Sequence, residues 1–300
     1  MEDLLTRLNN GEILVSDGAM GTMLMERGLN VGEPPELFNL KQLNVIGEIA
    51  SLYFDAGANV IQTNTFGASP LKLSLYSLDD RTEEINMNAV NMVRKVVDDR
   101  AYISGSCGPS GRLLKPYGDT EEEELYKNYE RQITSLINAG VDVICIETMT
   151  DLKEAEIAIK VVREISSSIP VMATMTFDPT PKGFYTVMGV SIEDAAKRLE
   201  SAGADIVGSN CGNGIENMIK IAREFKKHTN IPIIVQPNAG IPEIKEGKSV
   251  YPESPQFMAE KARELVKIGI SIIGGCCGTT PDHIRAIRDM IDSMNFPLIF

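Results

Sequence analysis

Tryptophan is absent from the 300 residues, and only two histidines occur, His228 and His283. Neither histidine has metal-ligand spacing, and both fall in stretches with the character of helical surface, which argues against an imidazole-based centre. Positive charge is scarce: 29 Lys and Arg stand against 42 Asp and Glu, a formal charge of −13. That balance argues against nucleic acid or an anionic membrane as partner. No apolar run approaches the roughly 20 residues that span a bilayer. The start Met1-Glu2-Asp3-Leu4 is acidic and lacks a secretory leader pattern. Cysteines number five, an odd count unevenly spaced in a long chain. They fit a reducing, cytoplasmic setting with metal-binding or catalytic thiols better than a disulfide framework.

What is present is a regular alternation. Eight short, near-continuously apolar runs recur, at 13–16, 58–63, 102–105, 141–147, 171–177, 205–209, 233–236 and 271–275. Runs of this kind, bounded by turn residues, are how strands buried on both faces of a parallel sheet read. Helical periods lie between them with start signals: Asp151 before Glu154, Ser191 before Asp194, and proline after Ser254 and Thr280. A four-fold repeat places a helix end, a glycine and an apolar strand together at Gly57, Gly140, Gly203 and Gly269. Eight strand–helix units predict a (β/α)8 TIM-type barrel, with an open doubly wound sheet as the alternative. No linker or low-complexity stretch interrupts the chain, so residues 1–300 read as one barrel domain. The long loops and the polar residues both follow strands, which puts them on the rim where barrel active sites sit.

The most specific signal is Gly274-Gly275-Cys276-Cys277-Gly278 after the eighth strand, with Asn210-Cys211-Gly212 after the sixth. These two strand ends are next-but-one neighbours in a barrel, so three thiolates can converge on one ion and leave a position open. A break in the strand at the glycines is needed for Cys276 and Cys277 to face the same ion. The competing reading is a vicinal disulfide or redox switch. Cys145 reads as a packed interior thiol, and Cys107 as a thiol that could line the pocket; neither is assigned to metal. Three thiolates make a poor Lewis acid for water but suit a fourth, substrate thiol bound as thiolate. Asp17 and Glu147 at the same rim would hold a cationic group of that substrate, with helix capping or a structural hydrogen bond as their plainer role. Backbone N–H groups around Gly18 and Gly21 can take a carboxylate.

These pieces amount to a family resemblance. The segments 17–22, 62–68, 108–111, 147–148, 210–211, 237–240 and 274–281 match, in order, the zinc-dependent homocysteine S-methyltransferases. The chain most resembles the N-terminal homocysteine-binding barrel of cobalamin-dependent methionine synthases. The resemblance implies that Cys211, Cys276 and Cys277 hold Zn2+ and form the catalytic centre, with homocysteine as fourth ligand. It implies that Asp17 and Glu147 bind the homocysteine amino group, and that backbone near Ala19 and Met20 takes its carboxylate. Asn238 resembles the asparagine whose amide oxygen fills the open zinc position before substrate arrives, with a turn role as the alternative. Asn64 and Thr65 would line the methyl-donor side or stabilise a loop.

The same resemblance limits the donor. No Asp-x-His-x-x-Gly cobalamin signature occurs, so methylcobalamin would come on a separate corrinoid protein, with methionine as product. Lack of tryptophan weakens an aromatic cage for betaine, although Tyr117, Phe184 and Tyr185 lie in rim loops. A sulfonium donor stays open. Two further readings stand beside the methyltransferase: a non-catalytic zinc- and homocysteine-binding module, and a barrel whose glycine-rich loops grip phosphate. The apolar ending at 296–300 suggests a docking segment, the cut edge of a longer chain, or loose packing on the barrel.

Overall fold

The computed structural model describes residues 1–245 and 248–294; the apolar ending at 296–300 lies outside the described residues. All eight predicted strands form. They are β1 (Leu14–Val15), β2 (Val60–Gln62), β3 (Tyr102–Cys107), β4 (Val143–Met149), β5 (Val171–Met175), β6 (Ile206–Asn210), β7 (Ile233–Gln236) and β8 (Ile272–Ile273). Each pairs in parallel with its neighbours in the 8-stranded sheet. The ring closes between β1 and β2 at a Ser16–Val60 bridge, where Asp17 N donates to Val60 O at 3.0 Å. A major helix follows each strand: α1 (Leu43–Asp55), α2 (Thr82–Val97), α3 (Glu122–Asn138), α4 (Leu152–Ile165), α5 (Ile192–Ala202), α6 (Ile215–His228), α7 (Pro255–Ile268) and α8 (Pro281–Ser293). Among the described residues no helix is long and apolar enough to cross a membrane.

Strand alternation sorts the core into two shells. Leu14, Val60, Tyr102, Val143, Met172 and Ile206 cluster inside the ring, together with Leu4 and Leu8 of a short N-terminal helix, Leu4–Asn9. That helix was not predicted. Asp3 caps it, accepting from Thr6 N at 2.9 Å, and its two leucines, one turn apart, plug the barrel floor. Val15, Ile61, Ile103, Ile144, Val207 and Ile273 instead face the helices. Cys145 belongs to the inner shell, as expected. Cys107 does not line a pocket: it shares the parity of Ile103, so its fully buried thiol packs outward among the helices.

The four-fold repeat has a structural cause. Its glycines close helices in the left-handed region, with φ of 95° at Gly57, 89° at Gly140, 110° at Gly203 and 85° at Gly269. Two residues later, Asn59, Asp142 and Asp205 accept from Val15 N (3.0 Å), Ile103 N (2.7 Å) and Val171 N (2.8 Å) on the neighbouring strands. Arg94 and Arg163 from α2 and α4 then clamp Asp142 and Asp205. The repeat thus satisfies backbone donors that would otherwise be orphaned at the strand starts. The predicted helix starts also form, with Lys153 N donating to Asp151 and Asp194 N to Ser191.

Two short hairpins, Asp178–Thr180 with Gly183–Tyr185 and Glu243–Lys245 with Lys248–Val250, stand in the loops after β5 and β7. Their apolar content is too low for the periodicity to show them.

Strand spacing leaves no room for a side chain at Gly208 in β6, where a Cβ would lie 1.8 Å from the Ile234 carbonyl oxygen of β7. Backbone on both sides cannot yield. Gly208→Ala is expected to cost more than the ~3–5 kcal/mol typical of a large core truncation. Urea denaturation checks this; a midpoint equal to wild type would contradict the packing described.

Candidate metal centre

β6 ends at Asn210, and Cys211 follows with φ of +62°, a left-handed conformation that a cysteine rarely adopts. β8 ends at Ile273, so Cys276 and Cys277 lie beyond it in a turn. The loop after the intervening strand β7 ties them down: Cys276 N donates to Pro237 O at 2.8 Å, and Ala239 N to Cys277 O at 2.9 Å. Gly278 completes the turn with φ of +79°, and a Cβ there would strike the Tyr251 ring at 2.0 Å. The backbone break anticipated at the glycines around Cys276 and Cys277 is thus present, and a second, not anticipated, falls at Cys211 itself.

The result is a cluster of three sulfurs, all within 4.8 Å of one another. Cys211 Sγ and Cys277 Sγ are 3.9 Å apart. Tetrahedral zinc with Zn–S bonds of 2.3 Å wants sulfurs about 3.8 Å apart, so the residues present fit such an ion. Without metal, Cys211 is held as thiolate, its pKa lowered to about 3 by S–H groups of Cys276 and Cys277. The hydrogen bond to Cys211 raises Cys277 to about 11, and Cys276 is raised as well. Binding a divalent cation would expel the two remaining protons. Asn238, 5% exposed, donates from its amide to Cys211, while its Oδ1 is a buried oxygen without a hydrogen-bond partner.

A cavity of about 510 Å³ opens over these sulfurs. Glu147, Thr148, Gln62 and Ser106 line its inner part; Met20, Met25, Pro35, Phe66 and Tyr76 line its mouth. Glu147 accepts from Ser106 Oγ and, at 3.1 Å, from Asn210 Nδ2. Asp17 is 2% exposed, accepts from Gln62 N at 2.8 Å, and is not among the lining residues. Burial pushes Asp17 up to about 8 and Glu147 up to about 7; Glu147 adds to the rise at Asp17.

Several anticipated residues are already engaged. Ala19 N donates to Thr279 Oγ1 at 3.2 Å, whereas Met20 opens a short helix, Met20–Met25, that has no side-chain cap. Asn64 lines the cavity, but its amide donates to Pro35 O (2.8 Å) and Asn39 Oδ1 (3.0 Å), tying the loops after β1 and β2. Tyr117, Phe184 and Tyr185 do not line the cavity. His283 is buried rather than on the surface: its ring caps Thr280 and bonds the Glu253 carbonyl at 3.0 Å.

Three contributors had gone unnoticed. Tyr251 lines the cavity and hydrogen-bonds Cys277; burial, then the neighbouring Cys277 and the rest of the sulfur cluster, push its phenol up to about 12. Phe66 rests on Gly108, where a Cβ would meet its ring at 2.5 Å. Glu36, 3% exposed, accepts from Gly67 N at 2.7 Å. Only the glycine beside Phe66 offered a sequence hint.

A closed β/α barrel with three converging thiols at its C-terminal rim defines a class of thiol-ligated metal centre. The chain belongs to the homocysteine S-methyltransferase family, whose profile matches residues 14–291. It is 32% identical over 310 residues to the methionine synthase of Mycobacterium leprae (strain TN), covering 98% of this chain and 25% of that protein. The methionine synthase of Mycobacterium tuberculosis (strain ATCC 25618 / H37Rv) is likewise 32% identical over 312 residues, covering 98% and 26%. The chain thus spans about a quarter of the length of these relatives. Among solved structures, the metallated form of the homocysteine methyltransferase MmuM from Escherichia coli superposes with a TM-score of 0.79. That pair is 24% identical, with 95% of this chain and 99% of that one covered. The oxidised form of MmuM gives 0.75 at 24% identity, covering 92% and 95%.

The buried carboxyls carry a stability cost with a definite sign. Burial holds Asp17 up at about 8 in the folded protein, against 3.8 for an ordinary aspartate, so the native state holds a proton that the unfolded chain has lost. Its contribution is fully present below the unfolded value and lost as pH rises through about 8. The metal-free Asp17→Asn protein should therefore gain stability over wild type progressively from pH 5 to 8. Thermal melts across that range check this; a difference independent of pH would contradict it.

Proposed function

We propose that residues 1–300 act as one homocysteine-binding barrel domain that transfers a methyl group to the homocysteine thiol, forming methionine. The convergence of Cys211, Cys276 and Cys277 over an open cavity carries this reading. These three thiolates would hold Zn2+, which when bound supplies a site where the substrate sulfur stays an unprotonated nucleophile at neutral pH. Asn238 is suited to offer its unpartnered Oδ1 to the open position until substrate displaces it.

The chain's own residues orient the substrate. Glu147, at the cavity wall, receives the ammonium group, and the buried Asp17, protonated in the substrate-free protein, ionises as that cation arrives and adds its charge then. The carboxylate goes to the backbone N–H of Met20, since that of Ala19 is engaged by Thr279. Asn64 serves the donor side indirectly, by holding the loops that carry the cavity mouth. The substrate ammonium stabilises the ionised form that burial disfavours at both carboxyls, so binding is coupled to their loss of protons. In the transfer, a new S–CH3 bond forms as the donor's bond to that methyl breaks, and the electron pair leaves with the donor. Cytoplasmic residence suits a centre that needs reduced thiols.

The donor reading favoured here is a methylated corrinoid carried by a separate protein. Apart from Met1 and Met87, the exposed large apolar side chains of the described residues lie on loops after barrel strands, Met25, Phe66, Tyr76, Val187, Ile241 and Ile244 among them. Such a rim suits a macromolecule laid over the cavity better than a small soluble donor.

Zinc-loaded protein with homocysteine should form methionine when given a methylated corrinoid protein, and less with S-methylmethionine or betaine. Cys211→Ser should lower the rate by more than about 100-fold, since even outer-shell partners of metal ligands cost up to that much. Faster turnover with S-methylmethionine or betaine would replace the donor; binding without turnover would make the barrel a delivery module. Full activity in Cys211→Ser would reject the metal centre.

A further inference from the structure

We propose that Asn210 is a positioning residue that fixes the distance between the ammonium acceptor and the sulfur centre, and so makes the site prefer homocysteine over the shorter cysteine. The inference rests on the homocysteine-thiol reading above. Asn210 sits at the end of β6, 1% exposed, directly before Cys211. Its Oδ1 accepts from Thr148 N and from Thr174 Oγ1, both at 2.8 Å. A backbone N–H can only donate, so the orientation of the amide is determined. Its Nδ2 then donates to Thr148 Oγ1 at 2.8 Å and Glu147 Oε2 at 3.1 Å, and lies 3.9 Å from Cys276 Sγ. One nitrogen therefore touches the substrate-facing carboxylate on one side and a sulfur of the cluster on the other.

The backbone is bent to make this contact. Thr148 has φ of +60°, a costly conformation for a β-branched residue, and the pairing of β4 with β5 shifts register between Ile146 and Met149. That irregularity aims Thr148 N at the Asn210 amide. Cys211, next to Asn210, is the second left-handed position. Strain at both ends of one side chain is maintained because four hydrogen bonds over-determine it.

The chemical consequence follows from substrate length. Homocysteine spans from amino group to thiol with one methylene more than cysteine. With Glu147 held rigidly relative to Cys276, the ammonium and thiol positions are set at one separation, so the two chain lengths are not accommodated equally well. Rigid discrimination of one methylene is worth about 10–200-fold. A carboxylate free to swing would close the gap and lose that preference.

The test uses cobalt(II)-loaded protein, titrated with L-homocysteine and with L-cysteine and read by the thiolate-to-metal absorption band. Metal content is measured alongside. Wild type is expected to bind homocysteine at least about tenfold more tightly than cysteine. Asn210→Asp keeps the shape but removes both N–H donors; it should still take up about one cobalt per chain and lose most of that preference. Thr174→Val, which removes one bond to the amide oxygen and adds no charge, should shift the ratio the same way by less. An unchanged ratio in a metal-loaded Asn210→Asp protein overturns the proposal, as does loss of metal with the ratio intact in Thr174→Val. A wild-type protein that binds cobalt and no thiol would reject the functional reading, and this inference with it.

Discussion

Three sulfurs can meet only because the backbone of two strand ends is diverted across a third. Cys211 arrives from β6, Cys276 and Cys277 from β8, and the loop after β7 hydrogen-bonds to both of the latter. A closed ring of strands makes this possible, since the order β6, β7, β8 is set by pairing far below the rim. A loop-borne site of the same composition would have to restrain each thiol separately. Here the barrel restrains them collectively, and only the last residues of each strand depart from regular geometry.

Electrostatics then divides the cavity into two ends. At one end sits a sulfur cluster whose mutual hydrogen bonds pull the Cys211 thiol down and push Cys276 and Cys277 up. At the other are two buried carboxyls whose pKa values are raised by desolvation. Both ends cost stability as they stand: the carboxyls are desolvated, and three sulfurs are crowded together. A site destabilised in this way is consistent with the binding role proposed above.

Much of this was legible in the chain because it is periodic or compositional. Parallel strands are apolar on both faces, so all eight stood out, and the glycines closing helices marked the phase of the repeat. The three site cysteines were legible because adjacent thiols among glycines have few structural uses. Side-chain direction beyond the strand ends was not legible. Cys107 follows the strand parity outward into the core, while Cys211 escapes its parity through a positive φ that no local residue type signals. Tyr251, Glu36 and the four-bonded Asn210 depend on contacts between distant loops, so their sequence neighbours are uninformative. Hairpins in the loops after β5 and β7 are held by backbone pairing of mixed, exposed residues and leave no apolar pattern.

The most direct measurement is zinc-edge X-ray absorption on the metal-loaded protein, before and after adding homocysteine. Coordination by three sulfurs and one lighter atom, changing to four sulfurs at about 2.3 Å with substrate, is the expected result. A first shell containing fewer than three sulfurs, or one that homocysteine leaves unchanged, would contradict it.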